Sequence, residues 1–267
     1  MRCKFPLISA SLCGALALTL TACSSSPTGR QQMLLYSEQD MSQLGAQSFE
    51  QLKEKEKIST NKATQHYVQC VTDALTATLS GPQTPGQWEV VVFDSKQINA
   101  FALPGGKIGV YTGLLNVANN QDQLATVIGH EIAHVLAQHS NERLSRSQLA
   151  NVGMQISSIA ISGTQYHDAA MAGLGLGVQY GVLMPYGRAQ ESESDIMGLR
   201  LMAQAGFNPQ ESITLWKNMA KASGGQQPPE LLSTHPSHDT RIDDLKAEIA
   251  KLPNTSTPHP QCKLMPN

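Results

Sequence analysis

Apolar residues recur every three or four positions along most of this chain, a period typical of amphipathic helices packed on a core. The pattern is clear over residues 37 to about 55 and over residues 61–79. It returns over residues 120–136, after Asn208-Pro209 and after Ser237. Proline suits the first position of a helix, because that position needs no backbone N–H donor. The pattern therefore predicts a mainly helical protein.

A different pattern interrupts the helices near residue 90. Residues 88–93 are rich in valine and predict a buried strand, and residues 99–103 and 108–111 predict two more short strands. Pro104-Gly105-Gly106 separates the last two and suits a hairpin turn. The expected fold class is α+β, mainly helical with one small sheet.

The helix predicted over residues 120–136 carries His130-Glu131-Ile132-Ala133-His134. Residues four apart lie on one face of a helix, so both imidazoles can reach one cation, while Glu131 can face a water molecule beside it. The flanking positions are apolar, and Asn120 is placed to cap the helix. A buried imidazole or carboxylate without a partner would be costly. The motif predicts a zinc site that activates water; the alternative is a helix with two solvent-facing histidines.

Such a site needs a third protein ligand. In the metzincin pattern a third histidine follows six residues after the second, but Ser140 occupies that position. His139 is one residue short and is interpreted as a helix-end residue favoured by the helix dipole. Glu191 and Asp195 fit better, since a helix with Glu191 as ligand places Asp195 one turn along, where it can orient a ligand histidine. Glu193 is predicted to face solvent. An exposed acidic helix face is the alternative for the whole run.

Four segments of the chain together resemble the gluzincin metallopeptidases of the HtpX and CAAX prenyl protease type. They are residues 99–106, 127–135 and 191–195, and His235-Pro236 followed by Arg241-Ile242. The segments occur in the family's order, and the similarity is greatest to small bacterial lipoprotein members. The resemblance implies a zincin-type metallopeptidase domain, predicted over residues 37–252, in which an edge strand of the sheet lies beside the active site.

The resemblance also implies roles for individual residues. His130, His134 and Glu191 would bind one zinc ion per chain, and Glu131 would be the general base. Asp195 is sometimes described in the family as a proton donor. An orienting role is preferred for Asp195, because Glu131 can itself return the proton to the leaving amine.

The histidine of the family's His-Pro motif corresponds to His235. In the family this residue is thought to lie near the metal, either as a transient fourth ligand or as an oxyanion donor. It follows residues 223–229, a glycine- and proline-rich stretch that suits a flexible loop. A surface histidine without a catalytic role is one alternative. Another is that His235 blocks the metal, which would make the protein a chaperone or assembly factor that rarely cleaves.

Residues 99–103 are assigned to substrate binding. In zincins an edge strand above the metal pairs with an extended peptide, so main-chain hydrogen bonds bind substrates with little regard to side chains. Asn99, Ala100, Phe101 and Ala102 are the predicted substrate-binding residues. An ordinary hairpin would produce the same turn and is the alternative.

The N-terminus predicts a lipoprotein of the bacterial envelope. A basic start and an apolar stretch over residues 7–20 lead to Leu20-Thr21-Ala22-Cys23, which resembles a lipobox. Residues 1–22 are the predicted signal peptide, Cys23 the residue that would carry the palmitate-type lipid, and residues 23–36 a tether. Ser24 stands where an inner-membrane retention signal would have aspartate. The prediction is therefore an outer-membrane protein that faces the periplasm.

Two cysteines, Cys70 and Cys262, remain once the signal peptide is removed and Cys23 is acylated. A leftover pair in an oxidising compartment predicts one disulfide, which would tie the proline-rich tail of residues 253–267 to an early helix. Two free thiols are the alternative.

Composition constrains the partners. With 19 Lys and Arg against 21 Asp and Glu, the formal net charge is −2, and nothing indicates nucleic-acid binding. The resemblance implies unfolded or misassembled envelope proteins as substrates. The lipid would attach the chain to the membrane, and a second copy or an outer-membrane assembly protein are candidate partners.

Residues 147–187 contain Asp168 as their only acid and no Lys or Arg. The stretch is too polar and too rich in glycine to span a membrane. It is predicted to form helices that pack on the catalytic core or on a neighbouring subunit. A lid that touches the membrane is the sharper hypothesis.

Overall fold

The structure, a computed structural model, describes residues 23–80, 87–179, 183–222, 224, 238–253 and 257–264. Its strands are β1 (Cys23–Ser25), β2 (Gln31–Met33), β3 (Glu89–Phe93), β4 (Ala100–Leu103) and β5 (Lys107–Tyr111). Its helices are α1 (Glu38–Lys55), α2 (Lys62–Thr76), α3 (Thr112–Leu115), α4 (Gln121–Leu136), α5 (His139–Ala160), α6 (His167–Val178), α7 (Met184–Gln204), α8 (Glu211–Ala222) and α9 (His238–Ile249). The prediction of a mainly helical α+β fold is confirmed.

Side-chain caps explain where three of the predicted helices begin. Ser37 and Asp40 form a capping box at α1, in which each side chain accepts a hydrogen bond from the backbone of the other residue. Asn61 accepts from the backbone N–H of Thr64 at α2, and Asn120 accepts from Gln123 at α4. These caps satisfy N–H groups that have no partner within the helix.

The start of α8 differs from the prediction. The helix begins at Glu211, not at Pro209. The carbonyls of Asn208 and Pro209 accept hydrogen bonds from the N–H groups three residues on, so a tight turn leads into the helix. The backbone N–H of Asn208 donates to Asp122, which ties this turn to the first turn of α4.

The three-stranded sheet has the order β3-β5-β4. Strand β5 is parallel to β3 and antiparallel to β4, and Phe101 of β4 lies opposite Gly109 of β5. Gly105 and Gly106 form the hairpin turn with φ values of 83° and 77°, in the left-handed region that favours glycine. Strand β4 is therefore an edge strand, as predicted.

Helix α4 lies at the centre of the hydrophobic core. Leu124, Ile128 and Ile132 are fully buried on it. The helix contacts α2, α7, α8 and strand β4. Because the His-Glu motif belongs to this helix, its side chains are surrounded by protein on most sides.

Residues 23–36, predicted to be a tether, are folded onto the domain. Strands β1 and β2 form an antiparallel hairpin. Gln32 is buried and donates to the carbonyl of Ala137 at 2.5 Å, and the backbone N–H of Leu35 donates to Ser145 Oγ at 2.8 Å. The tether prediction is wrong for this stretch, because the segment satisfies polar groups at the junction of α4 and α5.

Residues 147–187 form helices, as expected, where the structure describes them. Helix α6 packs against α5, and none of its residues is buried. Apolar side chains on this pair are exposed, including Ile156, Ile159 and Leu176. Among the described residues, no helix is both long enough and apolar enough to cross a membrane.

The predicted disulfide is present. Cys70 on α2 is bonded to Cys262 in the C-terminal tail. The backbone N–H of Cys262 donates to Gln121 at 2.7 Å, and His259 contacts Asp122 at 2.9 Å. The tail is thereby held against the first turn of α4.

Replacing both Cys70 and Cys262 with alanine is expected to lower the free energy of unfolding by about 2–5 kcal/mol. The two residues are 192 positions apart, so the bridge restricts a long loop in the unfolded chain. Urea denaturation of the wild type and the double variant checks this. Reductant should shift the wild type towards the variant and leave the variant unchanged; equal midpoints without reductant would contradict the prediction.

Candidate metal centre

Three candidate ligands from two helices converge at one point. His130 and His134 lie one turn apart on α4, with their Nε2 atoms 3.0 Å from each other. Glu191 on α7 places Oε2 3.4 Å from His130 Nε2 and Oε1 3.4 Å from His134 Nε2. All three residues are buried. Among the described residues, this is the group of histidine, cysteine and acidic side chains arranged to hold a metal ion.

The donor set fits zinc. Tetrahedral zinc binds histidine and carboxylate at about 2.0–2.1 Å, which puts any two ligand atoms about 3.3 Å apart. The three separations of 3.0, 3.4 and 3.4 Å are close to that value. Two imidazoles and one carboxylate also leave a fourth position open, as in catalytic zinc sites.

Close packing of α4 on α7 brings the ligands together. Gly129 of α4 and Gly198 of α7 face each other where the helices meet. A Cβ atom added to Gly198 would lie 2.7 Å from the backbone nitrogen of His130. Real Cβ atoms do not approach a backbone this closely, so glycine is required for this helix separation.

His130 is oriented by Asp195. His130 Nδ1 lies 2.9 Å from Asp195 Oδ1, which leaves Nε2 directed at the metal position. Arg241 donates to both oxygens of Asp195, at 2.7 and 2.6 Å, and its guanidinium lies 3.6 Å from the ring centre of Trp216. Burial alone would raise the pKa of Asp195, but Arg241 and His130 lower it below its ordinary value. Arg241 is thus an ion-pair residue of the site.

His134 is oriented by His139, which corrects the sequence interpretation. His139 starts α5 and does not end α4. Gln138, with φ of 52°, turns the chain sharply between the two helices. His139 is therefore folded back under α4 and fully buried, with Nδ1 2.8 Å from His134 Nδ1.

Glu193 was predicted to face solvent, and this prediction is wrong. Its side chain is 3% exposed. It lies 3.1 Å from His139 Nε2, and it accepts hydrogen bonds from Thr28 Oγ1 at 2.5 Å and Arg30 Nε at 2.8 Å. Burial would raise the pKa of Glu193, but the hydrogen bond to His139 and those from the N-terminal hairpin lower it.

Arg30 also binds a second buried carboxylate, Glu142. Two parallel hydrogen bonds of 2.8 and 2.7 Å join the guanidinium to this carboxylate. Gln190 and Arg146 also donate hydrogen bonds to Glu142, at 2.8 and 2.9 Å respectively. Burial opposes ionisation of Glu142, but Arg30 and these donors lower its pKa to about 2.

Glu131 lies on α4, near the edge strand β4. It lines the same cleft as His130 and His134. The backbone of Ala102 on β4 lies close to its carboxylate and favours the charged form. Burial raises the pKa of Glu131, so its carboxylate holds a proton more readily than one in water.

The candidate ligands open onto a cleft of about 580 Å³. Residues 99–103 form one part of its lining, and α5 and α7 contribute others, including Arg143 and Gln190. Asn99, Ala100, Phe101 and Ala102 all lie at this cleft, with β4 as its strand. Their role in substrate binding stays a prediction.

The structure brings together ten residues that the sequence had singled out or left open, and adds others. The predicted ligands, Glu131 and residues 99–102 line the cleft. Asp195 and Arg241 lie behind His130 and are bonded to each other. His235 lies outside the described residues. Arg30 was missed because its partners are 112 and 163 residues away. The position of His139, five residues after His134, was the available signal for its role. The sequence interpretation placed it at the end of α4, whereas it begins α5.

Comparisons with known proteins agree with the site. The profile of peptidase family M48 matches residues 62–249. The mitochondrial metalloendopeptidase OMA1 of Schizosaccharomyces pombe is 37% identical over 159 residues, which cover 58% of this chain and 45% of that protein. The beta-barrel assembly-enhancing protease of Escherichia coli K12 is 29% identical over 210 residues, which cover 76% of this chain and 42% of that protein.

The same-named protease of Yersinia pestis is 30% identical over 200 residues, covering 73% of this chain and 40% of that protein. The chain therefore spans less than half the length of these relatives. Because the family profile matches well over half of the chain, the protein belongs to peptidase family M48. The gluzincin resemblance drawn from the motifs is confirmed.

Gly198→Ala is expected to lower the free energy of unfolding by about 1–3 kcal/mol and to weaken zinc binding. The added methyl group would push α7, and Glu191 with it, away from α4. Gly153→Ala is the matched control, since nothing lies within 4 Å of an added Cβ at that helical position. It should be neutral or stabilising by up to about 1 kcal/mol. Thermal denaturation and zinc titration of both variants check this; equal behaviour would refute it.

Proposed function

We propose that this protein is a zinc-dependent metalloendopeptidase of the outer membrane that degrades misfolded or misassembled envelope proteins. The observation that carries the proposal is the convergence of two imidazoles and a carboxylate beside Glu131. Zinc held by His130, His134 and Glu191 would supply Lewis-acid activation of a water molecule and of the substrate carbonyl.

Glu131 is the proposed proton carrier. It lines the cleft next to both histidines and belongs to neither pair of orienting contacts. Burial raises the pKa of Glu131 towards the operating pH. A group whose pKa lies near that pH can both take up a proton and release it again. Glu131 would take a proton from the attacking water and return it to the leaving amine.

Strand β4 is the proposed substrate-binding strand. One side of β4 pairs with β5, and the strand lines the cleft. An extended peptide can add to such an edge through main-chain hydrogen bonds. Because Ala102 also contacts Glu131, a peptide paired with β4 would lie beside the base. Recognition of backbone suits substrates that share no sequence but expose unfolded segments.

The envelope setting rests on three supports. Residues 20–23 resemble a lipobox, and Ser24 favours sorting to the outer membrane. The Cys70–Cys262 disulfide is typical of proteins from oxidising compartments. Two relatives carry the name beta-barrel assembly-enhancing protease, which suggests a related setting for this chain.

Glu131→Gln is expected to reduce cleavage of an unfolded protein at least about 100-fold, because it removes the proton carrier while keeping the shape of the side chain. The assay uses the mature chain in detergent, loaded with zinc. Zinc binding should be retained, and a chelator should abolish wild-type cleavage.

Glu54→Gln is the control for the change of charge, since Glu54 is exposed on α1, and it should cleave like the wild type. If the zinc-loaded wild type does not cleave, the peptidase proposal fails. A non-cleaving assembly lipoprotein, gated by His235, would then be favoured.

Cys23→Ser is expected to abolish palmitate labelling and to remove the protein from the outer-membrane fraction. Ser24→Asp should keep the label but shift the protein to the inner membrane. Fractionation of cells that express each variant with its own signal peptide checks both. Continued palmitate labelling or outer-membrane location of Cys23→Ser would refute the lipid anchor, and an unchanged location of Ser24→Asp would refute the sorting.

A further inference from the structure

A chain of hydrogen bonds runs from His134 to the N-terminal hairpin. With His134 Nε2 directed at the metal position, its Nδ1–H donates to His139 Nδ1 at 2.8 Å. His139 then has its hydrogen on Nε2 and donates to Glu193 at 3.1 Å. Glu193 accepts further hydrogen bonds from Thr28 and Arg30. Ser194 Oγ also lies 3.2 Å from His139 Nδ1 and can donate to it. A single tautomer of each histidine therefore matches the donors and acceptors in this series.

This series of hydrogen bonds is buried. Arg30 is the cation at its outer end, where it binds Glu193. The side chains of His139, Glu193 and Glu142 are 0%, 3% and 0% exposed. Glu142 lies on α5 and Glu193 on α7, and the guanidinium of Arg30 binds both. Without it, two buried carboxylates would lose their shared cation, and removing one partner of a buried pair is strongly unfavourable. Displacement of Glu193 would leave His139, and hence His134, without its anchor.

The two histidine ligands thus have parallel supports that end in an arginine. His130 is held by Asp195 and Arg241, which belong to α7 and α9. The support of His134 ends in Arg30, next to β2 in the hairpin that begins at Cys23. The N-terminal hairpin is therefore part of the candidate metal centre.

We propose that Arg30, assisted by Thr28, is a positioning residue that holds the zinc ligand His134 through Glu193 and His139. The inference rests on the proposed zinc site. It adds that the site is incomplete without the first segment of the mature chain. Orienting partners of metal-binding histidines typically contribute 10–100-fold to metal affinity or activity.

The test is zinc affinity, measured by competition with a chelator on the mature chain in detergent. Arg30→Gln is expected to weaken zinc binding by about 10–100-fold. The visible absorption of the cobalt-substituted protein should also change, since it reports ligand geometry. Arg200→Gln is the matched control, because Arg200 pairs with Glu248 on α9 and takes no part in the hydrogen bonds that lead to His134. It removes the same charge and should leave zinc affinity and the cobalt spectrum as in the wild type.

Two further variants keep the test decisive if Arg30→Gln does not fold. Thr28→Val removes one donor to Glu193 at an exposed position and should weaken zinc binding by about two- to fivefold. Arg30→Lys keeps the charge but cannot reproduce the forked contacts, so its zinc affinity should lie between those of the wild type and Arg30→Gln.

The outcomes separate this inference from the proposed function. If the wild type does not bind zinc, the metal site itself fails. If the wild type binds zinc and the folded variants at Arg30 and Thr28 bind it equally well, the positioning role is overturned while the peptidase proposal stands. An equal loss in Arg200→Gln would also overturn it, because the effect would then be general.

Discussion

The structure depends on bringing two imidazole nitrogens and a carboxylate into contact distance inside the protein. His130, His134 and Glu191 are buried, with their metal-facing atoms 3.0–3.4 Å apart. Polar groups held this way lose water and are costly unless other groups compensate them. The approach is possible because Gly129 and Gly198 allow α4 and α7 to pack backbone to backbone. The positions of the three candidate ligands therefore depend directly on how closely α4 and α7 pack.

Compensation comes from alternating carboxylates and guanidinium groups around the ligands. Asp195 is bound by Arg241, while Glu193 and Glu142 share Arg30. Burial alone would raise the pKa of each carboxylate, and in each case the neighbouring positive charge and hydrogen bonds lower it instead. These contacts join the N-terminal hairpin, α5, α7 and α9 around α4. Changes to the network should therefore affect both metal binding and stability.

The cleft connects the candidate metal centre with the surface of the protein. Strand β4 forms part of its lining, and Ala102 connects that strand to Glu131. Under the proposed function, a peptide paired with β4 would lie beside Glu131 and the candidate ligands. The disulfide between Cys70 and Cys262 holds the tail against the start of α4, so the helix that carries the motif is anchored at its first turn.

Local periodicity was enough to predict much of this protein. Helix geometry places His130 above His134 and Glu191 above Asp195, and the caps and the Pro104-Gly105-Gly106 turn act over a few residues. The contacts of His139, Glu193 and Arg30 were decided only by tertiary structure. A helical period tells which side chains share a face, but not what covers that face. The N-terminal hairpin covers Glu193 from 163 residues away, which converts a predicted solvent-facing acid into a buried support of the metal centre.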